Sequence, residues 1–271
     1  RHALSSDSLL RYDSSLMPLR IGTVPYLVAR PLTFGLSETA GVQLTTAPPA
    51  DLARMLSRGE IDVALASSSI SLESESLAFW HSGPVIAAKA AVRSVLLFLR
   101  PGLTDPSKIR DFVPDPHSRT GRAMAAIVLS EHFQAPFTRR ELAAAEDPFE
   151  SGADAVQIIG DPALLAESAH PDWLSVDLGA VWHEMTGLPF VYAGWIGRRG
   201  FAPADAAEPL LLAAQQGAQN LEPLIQQGMA TLGRSRNFML RYLGQDLTYF
   251  MPEAEIRKAL SAFGSRLNLL K

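Results

Sequence analysis

Apolar positions in the first hundred residues fall into short runs separated by stretches of helical spacing. Leu19-Arg20-Ile21-Gly22-Thr23 reads as a first strand, and Val42–Ala47 as a second, short and β-branched. Asp51–Arg58 has helical spacing and stops at Gly59. Ile61–Ala66, apolar except for Asp62, reads as a buried-strand run, and so does Ser94–Leu99, which Arg100-Pro101-Gly102 halts. Continuous runs of this length suit strands buried on both faces. Strands alternating with helices predict βαβ units, in a mostly parallel sheet with helices on its faces.

A second unit starts after Pro101-Gly102. Phe112-Val113 is a short strand, Pro114-Asp115-Pro116 turns the chain, and a helix follows from Thr120 to Phe133. Val156–Ile159 is a strand, and Gly160-Asp161-Pro162 opens a helix with Asp161 as its N-cap. Leu174–Leu178 and Phe190–Trp195 are further strands, and Gly197-Arg198-Arg199-Gly200 breaks the pattern. Ala207–Gln216, Pro223–Leu232, Asn237–Leu243 and Pro252–Phe263 read as helices. The two breaks give an A–B–A order. The expected architecture is an α/β fold of two lobes, residues 17–101 plus 198–271 and residues 102–197, with mixed sheets flanked by helices. Crossovers near Arg100–Gly102 and Ile196–Gly200 join the lobes, and a ligand cleft lies between them. Residues 1–16 form a disordered or extra tail.

Composition narrows the chemistry. The chain is 47% hydrophobic and 19% charged, with a net charge of −4 and no basic block, which argues against a nucleic-acid partner. No apolar run is long enough for a membrane span. Cysteine is absent, which removes disulfides, thiol nucleophiles and thiolate metal sites. The six histidines are scattered, and His183-Glu184 lacks the second histidine of H-E-x-x-H, so no metal is expected. G-x-S-x-G, Walker and G-x-G-x-x-G motifs are missing. The Ser-rich start has no apolar signal region, and Met17 stands just before the first strand, which points to a cytoplasmic protein.

Four segments are candidates for binding a small anion. Val24-Pro25-Tyr26-Leu27-Val28-Ala29-Arg30-Pro31-Leu32 places a helix start at a strand's C-terminal end, where ligands bind in open α/β sheets. There Arg30 adds a fixed cation, and Tyr26 adds either a phenol hydrogen bond or an aromatic wall. Ser67-Ser68-Ser69 ends a strand in three hydroxyls, with Ser68 at the centre; an ordinary Ser-rich turn accounts for it equally well. Ser118-Arg119-Thr120 opens a helix, so Ser118 and Thr120 serve as cap or as anion ligands. Gly160 begins another helix and turns backbone N–H groups toward the cleft.

Taken in order, these segments resemble the chorismate dehydratase family of the futalosine route to menaquinone. The resemblance rests on Gly22 with Tyr26-Leu27 through Pro31-Leu32, Asp62-Val63-Ala64-Leu65, Ser94-Val95, Ser118-Arg119-Thr120, Ile159-Gly160-Asp161-Pro162-Ala163-Leu164 and Thr186-Gly187-Leu188-Pro189-Phe190-Val191. It implies a fold like the type 2 periplasmic binding proteins. It also implies a lyase that eliminates water from chorismate without a cofactor. By the same resemblance, Ser94 matches a family serine near the leaving hydroxyl and is the catalytic candidate. The family usually has Asn where this chain has Val28. Two alternatives stand beside this reading: the related cyclase of the same route, and a non-catalytic solute-binding protein for a small carboxylate. The expected partner is a small dianion, chorismate, with no nucleic acid and no membrane. A second copy of the chain, as a homodimer, is left open.

Overall fold

The computed structural model describes residues 18–143, 146–199 and 206–269. The tail expected at 1–16 lies outside them. In chain order the elements are β1 (Leu19–Thr23), β2 (Val42–Thr46), α1 (Pro49–Arg58), β3 (Val63–Ser67), α2 (Ser68–Glu73), β4 (Leu77–Phe79), β5 (Val85–Ala88), β6 (Val95–Leu99) and β7 (Asp111–Val113). Then follow α3 (Arg119–Ile127), β8 (Thr138–Arg139), β9 (Ala155–Ile159), α4 (Gly160–Ala169), β10 (Leu174–Asp177), α5 (Leu178–Thr186) and β11 (Phe190–Arg198). The chain closes with α6 (Ala207–Gln219), α7 (Leu221–Leu232), α8 (Arg236–Arg241), β12 (Leu247–Thr248) and α9 (Glu253–Leu269).

The strands form two sheets. One is seven-stranded, in the order β12-β5-β11-β3-β1-β2 with β4 on β11; the other is five-stranded, in the order β10-β6-β9-β7-β8. Both are mixed. β1 pairs in parallel with β2 and β3, while β11 runs antiparallel to β3, β4 and β5. Parallel pairing is confined to β1 with β2 and β3 in the first sheet and to β7 with β8 and β9 in the second. The sheets also correct the expected lobe limits. β6 pairs with β9 and β10 and belongs to the second lobe, and β11 belongs to the first through Arg198. The crossovers thus lie at 89–94 and 178–189. Pro101-Gly102 only turns the chain within the second lobe, where Leu103 N–H returns to the Arg100 carbonyl.

The elements follow from local chemistry. In α1, Leu52 and Leu56 are four apart and buried, and Gly59 ends the helix in the left-handed region, returning its N–H to Leu56 and Met55. In β6, Val95, Leu97 and Leu99 enter the main core while Leu96 and Phe98 enter a smaller core on the other face. That is the period of two of a doubly covered strand.

The lobes are tied together. Trp182 on α5, Phe190 on β11 and Phe263 on α9 meet edge to face, with centroids 5.0 Å and 4.9 Å apart around Phe190. The crossovers are bonded to each other through one carboxylate. Asp177 accepts N–H bonds from Val92 and Arg93 on the first crossover and from Gly179 and Ala180 on the second, at 2.8–3.2 Å. Arg93 there holds φ of 66°, a conformation that side chains seldom adopt without such anchoring. Among the described residues, no helix is long and apolar enough to cross a membrane, and no group of three or more His, Asp or Glu could hold a metal ion.

Candidate active site

A cavity of about 640 Å³ of atom-free space, its mouth included, lies between the lobes. Its walls carry Tyr26 and Val28 from the first lobe, Ser94 from the first crossover, and Ser118, Thr120 and Gly160 from the second lobe. Five of the seven expected site residues therefore meet there: Tyr26, Ser94, Ser118, Thr120 and Gly160. Arg30 and Ser68 do not. Arg30 is exposed and lines a separate surface pocket with Thr33, Phe34 and Thr46. Ser68 is fully buried beneath the cavity, and its neighbour Ser67 lines the wall instead.

The segment expected to open a helix after β1 is a short 3-10 turn, Leu27–Leu32. Its first N–H is not free for a ligand. Leu27 donates to both carboxylate oxygens of Asp161, at 3.2 and 3.1 Å. Asp161 therefore does not cap its own helix, as its sequence position suggests; it reaches across the cleft to cap a turn of the other lobe. Gly160 explains why the approach is so close. It sits at φ of +66°, and a Cβ there would stand 2.8 Å from the Tyr26 ring. Only glycine combines that backbone with that contact.

A second bridge joins β3 to α3. Ser118 caps α3, accepting from Gly121 N–H at 2.9 Å. The Thr120 hydroxyl touches that of Ser67 and accepts from Ser69 N–H at 3.2 Å. Thr120 is thus occupied in holding the lobes closed. Thr120→Val leaves the buried Ser69 N–H without a partner, at a cost of about 1–3 kcal/mol. The closed form is then less populated and the apparent Kd of a cleft ligand rises severalfold; an unchanged Kd in a folded variant would rule out the bridge.

Among the described residues, no Asp, Glu, His, Lys or Arg lines the cavity wall. Its polar groups are hydroxyls and backbone amides. The first-turn N–H groups of α3 have no acceptor within the helix and carry its positive end. Burial, then Asp115 and Asp161, pushes the Tyr26 phenol up to about 12, so it is a neutral donor at working pH. Burial raises the Asp161 carboxyl, against the opposing pull of Leu27 N–H and Arg30. A carboxyl that keeps its proton longer when folded makes stability fall as pH rises, from the unfolded value of about 3.9 upward through the folded one. The melting temperature of the wild type minus that of Asp161→Asn is therefore expected to decrease as pH rises from about 4. A difference that stays flat or grows would mean that burial is not the dominant influence.

Two residues escaped sequence reasoning. Tyr192 lines the cavity beside Ala193, although alternate strand residues face opposite ways. A bulge in β11 between Val191 and Ala193 turns it inward. Tyr242 is fully buried next to Ser94. Both are aromatic residues in apolar runs, which signals core and nothing more.

The two lobes and their central cleft define a periplasmic-binding-protein fold. The structure is similar to a Candida albicans gene product whose family exhibits that generic fold (TM-score 0.66, 11% identity, covering 94% of this chain and 91% of that one). It is also similar to the alkanesulfonate-binding protein SsuA of Xanthomonas axonopodis pv. citri bound to MOPS (TM-score 0.65, 17% identity, 94% of each chain). At such identities the likeness is one of fold alone. The chain belongs to the menaquinone biosynthesis family, which matches residues 19–268. It is similar to the chorismate dehydratase of Thermus thermophilus, 28% identical over 270 residues that cover 94% of this chain and 97% of that protein.

Proposed function

We propose that this protein is a chorismate dehydratase, converting chorismate to 3-(1-carboxyvinyloxy)benzoate and water. The observation that carries the reading is the full-length similarity to a chorismate dehydratase within a menaquinone biosynthesis family. In the reaction, the hydrogen on the ring carbon bearing the ether leaves as a proton. Its electron pair enters the ring, the neighbouring C–O bond breaks, and the hydroxide takes up a proton as water. The ring becomes aromatic, which supplies much of the driving force. No electron acceptor is needed.

The cavity suits such a reaction. Hydroxyls of Ser94 and Tyr26, and the amides of the first turn of α3 that the Ser118 cap does not occupy, are the groups available to meet substrate oxygens. Ser94 donates to the departing hydroxyl. Among the described residues no carboxylate, imidazole or amine side chain lines the wall, so the proton acceptor in this reading is a carboxylate of the substrate itself. The protein orients chorismate and keeps water out.

A second reading, binding of a small carboxylate without turnover, is favoured by Val28. Its side chain lines the cavity and offers no hydrogen bond. Incubating the purified protein with chorismate separates the two. A product lighter by one water, with new aromatic ultraviolet absorbance, supports the dehydratase. Bound but unchanged chorismate supports the binding protein.

A further inference from the structure

Behind Ser94 lies a group of buried phenols that the reaction above does not use. The hydroxyls of Tyr192, Tyr242 and Tyr249 are each buried without a hydrogen-bond partner. Desolvating a hydroxyl without a bond is costly, so three together need a reason.

Tyr242 is the informative one. It opens the turn Tyr242–Asp246 that follows α8. That turn is fixed to the first crossover by an ion pair, Arg93 Nε to Asp246 Oδ2 at 3.0 Å, one residue before Ser94. The Ser94 main chain is fixed as well, since its carbonyl accepts from Gly160 N–H at 2.7 Å. Its side chain is not. The Ser94 hydroxyl reaches only the Val92 carbonyl, at 3.5 Å, the limit of a hydrogen bond. The Tyr242 hydroxyl lies beside it, yet stops short of a bond of ordinary geometry. Burial raises the Tyr242 phenol far above its usual range, so it stays protonated and can only be a neutral partner.

We propose that Tyr242 is a positioning residue for Ser94: its phenol donates to Ser94 Oγ and leaves the serine proton aimed into the cavity at a ligand oxygen. The arrangement is a two-hydroxyl relay running from the buried turn through Ser94 to the ligand. Ser94 accepts one hydrogen bond and donates another, so that its donor strength rises when the ligand's oxygen gains charge. No proton has to leave Tyr242. The inference rests on the dehydratase reading for its kinetic arm and is independent of it for its spectroscopic arm.

The test compares Tyr242→Phe with Tyr249→Phe, which loses an equally buried, unbonded hydroxyl outside the cavity wall. With chorismate, Tyr242→Phe is expected to lower kcat about tenfold with little change in KM, and without a lower melting temperature. Tyr249→Phe is expected to keep kcat. In Ser94→Ala, adding Tyr242→Phe is expected to cost nothing further, since the two hydroxyls act as one unit. Wild-type kcat in Tyr242→Phe, an equal loss in Tyr249→Phe, or full additivity with Ser94→Ala would each overturn the relay. If the wild type does not dehydrate chorismate, the reaction assigned above fails and the relay is read by NMR of isotope-labelled tyrosine. Ser94→Ala is expected to shift the Tyr242 ring signal and leave that of Tyr249 in place; an unmoved Tyr242 signal would overturn the relay.

Discussion

Ser94→Ala is expected to lower kcat for chorismate about 10- to 100-fold with KM nearly unchanged. A hydrogen bond to a group gaining charge contributes about 1.5–3 kcal/mol, and each 1.36 kcal/mol is about tenfold in rate. The departing hydroxyl gains charge only as its bond breaks, so the loss appears in turnover and not in ground-state binding. Stability argues in the same direction. The 3.5 Å contact with Val92 is all the Ser94 hydroxyl makes by ordinary geometry, so its removal leaves the fold intact. Steady-state kinetics and a thermal melt check both halves. A variant with unchanged kcat would remove Ser94 from the chemistry, and one with raised KM alone would make it a binding group.

Gly217→Ala is expected to destabilise the fold although it adds a single methyl. Gly217 lies within α6, where alanine is normally favoured over glycine by about 1 kcal/mol. A Cβ there would stand 2.0 Å from the Pro31 carbonyl oxygen and 2.7 Å from its carbon. Both are backbone atoms and have no rotamer to change. Overpacking of this kind costs about 1–3 kcal/mol and occasionally more, so the clash outweighs the helical preference. The turn that would be displaced contains Val28 and follows Tyr26, so KM is expected to rise together with the fall in melting temperature. A variant that melts at or above the wild-type temperature would show that α6 can withdraw at little cost.

The lining of the cavity was legible where a local pattern fixes direction. Ser118 stands at a helix start and Gly160 at a strand end, and both positions open on the cleft whatever the rest of the chain does. Arg30 falls in a separate surface pocket, because a charge says nothing about which way a short turn faces. Tyr26 and Val28 point into the cavity while Arg30 points out. The lobe limits were misread for a related reason. Pro101-Gly102 is a strong turn signal but only bends the chain within a lobe. The true first crossover, Lys89-Ala90-Ala91-Val92-Arg93, has no proline or glycine. β5, Val85-Ile86-Ala87-Ala88, was not anticipated, because half of it is alanine and its strand state comes from its partners β11 and β12. Asp161 shows the same limit at one residue. Its sequence position suits a cap for its own helix, and tertiary structure assigns it to a turn 134 residues away.

The bonding of both crossovers to Asp177 bears on how a ligand enters. Two independent strands would let the lobes slide and twist as well as swing. Stitched to one carboxylate, they share a single axis, and relative motion is reduced to about one degree of freedom. The bridges at Leu27–Asp161 and Ser67–Thr120 then part in the same swing. Any opening wide enough to admit a ligand has to break the Leu27–Asp161 and Ser67–Thr120 bonds together.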